Sequence, residues 1–135
     1  GYMDAKANKS HRDAEWQERV NKRNKKAEKK MSFLLKKINR KSIFIFHYPP
    51  KGIFDIIKEK NNPFKGGSTG VTFFRKAILK HKPSLVLCGH MHEYQGKKKL
   101  GNSWVVNPGE GSEGKFAIIN IDENEGKVKN IRLVK

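Results

Sequence analysis

The chain has 135 residues, with 30 Lys and Arg against 13 Asp and Glu, a net charge of +17 and a sequence pI near 10.1. That length holds one domain with a modest core, and the single cysteine excludes an intrachain disulfide. No apolar run reaches the length of a membrane span and no secretory leader is visible, so a soluble chain in the cytoplasm is expected.

The charge favours polyanions through counterion release, which implies nonspecific nucleic-acid binding at low salt. It is spread along the sequence rather than gathered into a recognised nucleic-acid module. Residues 1–9 show no periodicity. Ser10 with Asp13 gives the pattern of a helix start. Trp16, Val20, Ala27, Met31, Leu34, Leu35 and Ile38 then trace one apolar stripe, with Arg19, Lys22, Lys26 and Lys30 on the other faces. Residues 1–40 therefore read as a long basic amphipathic helical segment whose thin stripe rests on a sheet or a partner. Lying on an anionic membrane is the alternative for such a helix.

Residues 41–135 read as a second segment of α/β type. Ile43-Phe44-Ile45-Phe46 is a short apolar strand that delivers His47, and Tyr48-Pro49-Pro50 ends it. Ile53 to Ile57 is a further apolar segment, in which Asp55 is expected as a surface carboxylate, with a role in contacting substrate or supporting a metal ligand as the alternative. Asn61-Asn62-Pro63 and Lys65 to Gly70 form a loop that ends in good cap residues. Its backbone N–H groups, beside a helix start, are a candidate phosphate cradle. Val71, Phe74, Ala77, Ile78 and His81 trace a helix that stops before Pro83, with His81 at its C-terminus.

Leu85-Val86-Leu87-Cys88 is a second buried-strand run, and Gly89-His90-Met91-His92 follows it. If the two strands are parallel neighbours, their ends bring three imidazoles together. Neutral imidazole is the commonest metal-ligating side chain, so His47, His90 and His92 are the candidate metal ligands. Beyond them, Tyr94 to Asn102 reads as a hairpin crowned by Lys97, Lys98 and Lys99. Trp104 to Val106 is a strand, Asn107-Pro108-Gly109 a turn, and Gly109 to Gly114 a flexible link. Phe116 to Ile121 and Val128 to Val134 form a closing antiparallel pair.

His47-Tyr48-Pro49-Pro50 followed by Gly89-His90-Met91-His92 resembles the last two metal-binding motifs of the calcineurin-like metallophosphoesterases. The resemblance runs from about Lys41 to the end of the chain. It implies the C-terminal half of an αββα sandwich, with a dinuclear site in which His47 and His90 hold one divalent ion and His92 the other. Mn, Fe, Zn or Ni suits imidazole better than Mg. The family's Asp-x-His, Gly-Asp and Gly-Asn-His-Asp motifs are absent from this sequence. No catalytic residue is therefore identified, and three neutral imidazoles leave two dications short of negative charge.

Three readings of function follow. The first is a metal-dependent phosphoesterase, acting on a phosphomonoester or phosphodiester, whose remaining motifs come from an N-terminal-half partner chain or from sequence absent here, with a homo-oligomer as the alternative assembly. The second is a non-catalytic scaffold of the same fold. The third is a basic nucleic-acid-binding adaptor. An unpaired sheet edge with exposed apolar surface is expected, and with it self-association or a partner.

Overall fold

The computed structural model of the protein describes residues 14, 15, 18, 22 and 25–135. The chain divides into two units, Gly1–Lys37 and Ile38–Lys135. In the first, residues 25–35 are helical (α1), as are the four described residues before them. Ser10, Asp13, Trp16 and Val20, on which the expected cap and the first part of the stripe rest, lie outside the described residues. Within α1, Ala27 and Leu34 are exposed and Leu35 is buried, so the apolar face is narrower than the spacing implies.

The second unit is mixed α/β. Its four-stranded sheet has the order β1-β2-β4-β3, formed by Ile43–Phe46 (β1), Leu85–Cys88 (β2), Gly96–Leu100 (β3) and Ser103–Asn107 (β4). β1, β2 and β4 are parallel, and β3 is antiparallel to β4. The aliphatic density of β2 and β4 follows from this position, since both faces of a central parallel strand are covered.

Register separates those two faces. Phe44 pairs with Val86 and Phe46 with Cys88, and this row faces the helix Thr72–His81 (α2), where Phe74 stacks on Phe46 at 3.9 Å between ring centroids. Leu85, Leu87, Trp104 and Val106 face the other way. There the antiparallel pair Phe116–Ile121 (β5) and Val128–Val134 (β6) covers them with Ala117, Ile119, Ile131 and Leu133. Ile43 and Ile45 continue that second row, being paired with Leu85 and Leu87, but they stand outside the cluster that β5 and β6 cover. They are 44% and 76% exposed.

Three local expectations are corrected. Lys97, Lys98 and Lys99 lie along β3 rather than at a hairpin tip, and the turn is Gly101-Asn102. Charged residues on an edge strand discourage pairing with another chain. α2 is capped by Val71 with no side-chain hydrogen bond, so Ser68 and Thr69 do not cap it. Asp55 is buried, not superficial: it accepts from Gly52 N–H at 2.9 Å and from the Ser68 hydroxyl, tying two loops together.

Candidate metal centre

Both strand ends that carry histidine lie at the same edge of the sheet. Phe46 and Cys88 are paired as the last residues of β1 and β2, and Gly89 N–H donates to the His47 carbonyl at 3.1 Å, extending the ladder by one bond. The chain then turns sharply. Met91 N–H donates back to the Gly89 carbonyl at 2.8 Å, with His90 between them at φ +66°. This is a γ-turn of the rare positive-φ kind, a backbone state that costs a non-glycine residue of order 1–3 kcal/mol.

Two contacts from elsewhere hold the turn. The buried Asn107 donates Nδ2–H to the Met91 carbonyl at 3.2 Å and accepts Gly109 N–H at 3.0 Å. The Thr69 hydroxyl lies 3.1 Å from Met91 Sδ.

The turn aims His90 at His47. His90 Nδ1 and His47 Nε2 are 3.2 Å apart, and the Tyr48 ring lies 4.1 Å from the His90 ring, centroid to centroid. Burial, then the neighbouring His47 and His92 charges, push the His90 pKa below its ordinary value, and Glu93 opposes them. The neutral form that ligates metals is thereby favoured.

The pair fits one divalent ion. Two nitrogens bound at ~2.0–2.1 Å around a tetrahedral ion sit about 3.3 Å apart. The same separation suits a hydrogen bond between the rings, which an ion would replace.

His92 stands apart from this pair. Its side chain is 71% exposed, and its Nδ1 lies 3.7 Å from Glu110 Oε2. His90, His92, Glu93 and Glu110 all line one cavity of ≈480 Å³. Among the described residues, no group of three or more His, Cys, Asp or Glu is arranged to hold a metal ion. The structure thus brings His47 and His90 together and leaves His92 beside a carboxylate.

Sequence reasoning missed Glu110 and Asn107. Glu110 sits in a glycine-rich stretch with no local signal. Asn107 reads in the sequence as the start of the Asn107-Pro108-Gly109 turn, with no positioning role. The glycine-rich loop is not a phosphate cradle, because its donors are engaged: Gly66 N–H with Ile57, Gly67 N–H with Phe64, Thr69 N–H with Asp55, and Gly70 N–H with the Ser68 hydroxyl.

Residues 7–131 match the family described as metallophosphoesterase, calcineurin superfamily. No curated protein matches the chain significantly. One solved chain is 28% identical over 78% of this chain and 37% of its own length, with a TM-score of 0.54. The crystal structure of TT1561 of Thermus thermophilus is 30% identical over 76% of this chain and 38% of its own, with a TM-score of 0.43. The chain thus spans less than two fifths of the length of either solved relative.

Proposed function

Because the chain belongs to the calcineurin superfamily of metallophosphoesterases, we propose that it contributes to a metal-dependent phosphoesterase hydrolysing phosphomonoester or phosphodiester bonds. The observation that carries this reading is the 3.2 Å approach of His47 Nε2 to His90 Nδ1 at the carboxyl ends of adjacent parallel strands. In open α/β sheets that edge is where ligands gather. His47 and His90 would hold one divalent ion, Mn, Fe, Zn or Ni, and His92 would serve the second. Divalent ions at such a site supply positive charge for phosphate oxygens and acidify water.

The chain's own residues account for the remainder of the reading. Asn107 holds the turn that aims His90, and Tyr48 packs on its ring and limits its freedom. His92 and Glu110 line the cavity in which a phosphate ester would sit. Carboxylates and a general acid come from the motifs this sequence lacks, carried by a partner chain or by sequence beyond these residues.

The exposed Ile43 and Ile45 on β1 support that placement, since β1 is an edge without the lysines that protect β3. The scaffold reading is favoured by a separate observation, that no carboxylate joins the histidine pair among the described residues.

The test is hydrolysis of a chromogenic phosphodiester with Mn added, by the chain and its His90→Ala variant, alone and with a polypeptide carrying the missing motifs. Turnover that needs His90 supports a phosphoesterase. Absence of turnover in every mixture, with the fold intact, leaves the scaffold.

A further inference from the structure

The amino ends of the parallel strands, opposite the histidines, carry a second cavity, of ≈430 Å³. That volume is within the range of small-molecule sites, roughly 300–1,000 Å³. Four separate segments meet there: Arg40 before β1, Lys82 and Ser84 before β2, Lys99 and Trp104 on the β3–β4 hairpin, and Glu125 to Val128 at the tip of β5–β6. The meeting is close-packed. A Cβ on Gly126 would come within 2.8 Å of the Lys41 Cα.

The charge of this cavity is lopsided. Arg40, Lys82, Lys99 and Lys127 line it against one carboxylate, Glu125, which is engaged with Lys127 at 2.7 Å. Among the described residues, no carboxylate pairs with Arg40, Lys82 or Lys99. Lys99 Nζ instead rests 4.3 Å from the Trp104 ring centroid and 3.3 Å from the Asn102 carbonyl. The C-terminus of α2 accounts for a cation at Lys82, but not for Arg40 and Lys99, which arrive from other segments.

We propose that this cavity binds a small phosphate-bearing anion, independently of the histidine site. Arg40, Lys82 and Lys99 would supply the charge, and Arg40 offers planar donors suited to phosphate oxygens. The cations converge on one concave site, unlike the scattered lysines that account for most of the chain's charge.

The experiment is calorimetric titration of inorganic pyrophosphate, and of adenosine monophosphate in a second arm, into the whole chain with chelator present. Two double variants lose the same charge: Arg40→Gln with Lys99→Gln, and Lys60→Gln with Lys65→Gln in the exposed loop. Circular dichroism checks that both stay folded. Saturable binding of one anion per chain, about tenfold weaker in the first variant and within about twofold in the second, is the expected result. Tighter binding of adenosine monophosphate assigns a ring contact to Trp104 within the same proposal, and tighter binding of pyrophosphate assigns recognition to charge alone. No saturation up to concentrations on the order of 10 mM, equal weakening in both variants, or weakening by His90→Ala in place of Arg40→Gln with Lys99→Gln would overturn it.

Discussion

His47 Nε2 and His90 Nδ1 lie 3.2 Å apart across 43 positions of sequence. The contact depends on strained backbone, because His90 reaches it only from φ +66°. Glycine adopts that conformation without cost, whereas alanine carries the same penalty as histidine. His90→Gly should therefore be more stable than His90→Ala by about 1 kcal/mol, although both lose the imidazole. Urea unfolding midpoints in chelator measure this, and equal midpoints would mean that the turn carries no strain.

Asn107 ties the same turn to β4 through its bonds to Met91 and Gly109. Asn107→Ala leaves a buried carbonyl and a half-buried N–H without their partner, at a cost of about 2–4 kcal/mol. As a positioning residue, it should also weaken metal binding beyond the effect of lost stability. Metal affinity measured well below the unfolding transition separates the two effects.

Burial pushes the Cys88 thiol up to about 12, against ~8.5 for a free cysteine. Between those values the native chain keeps a proton that the unfolded chain releases. Cys88 thus contributes stability that is full below pH ~8.5 and declines as pH rises toward 12. At neutral pH, Cys88 should react with a thiol reagent only as fast as the chain opens, and denaturant should accelerate labelling by orders of magnitude. Rapid labelling of the folded chain would contradict the burial.

Ile45 is 76% exposed on β1, in the row that β5 and β6 cover farther along the sheet. Ile45→Lys should change stability by less than about 0.5 kcal/mol while reducing self-association or partner binding. Sedimentation velocity across a concentration series reads this directly. Unchanged association would place the interface elsewhere.

Much of the fold was legible because apolar runs mark strands. Ile43–Phe46, Leu85–Cys88, Phe116–Ile121 and Val128–Val134 stand where their β-branched and aromatic residues put them. β3 was not legible as a strand in its own right, since three consecutive lysines carry no apolar alternation, and only pairing with β4 makes them extended.

The histidines were legible as strand-end residues. Their mutual geometry was not, because the γ-turn at His90 depends on Asn107, which is 16 positions from Met91. Asp55 was misjudged for the same reason: its partner Ser68 is 13 positions away, in a loop that no local signal joins to it.

The most direct measurement is equilibrium dialysis of Zn²⁺ against the chain, His47→Ala, His90→Ala and, as a control, His81→Ala at the end of α2. If His47 and His90 hold one ion between them, the chain binds at least one ion per molecule. Both site variants then lose that ion by about 100-fold in affinity, and His81→Ala keeps it. Equal binding by all four proteins, or none by the unmodified chain, contradicts a metal centre built on this pair.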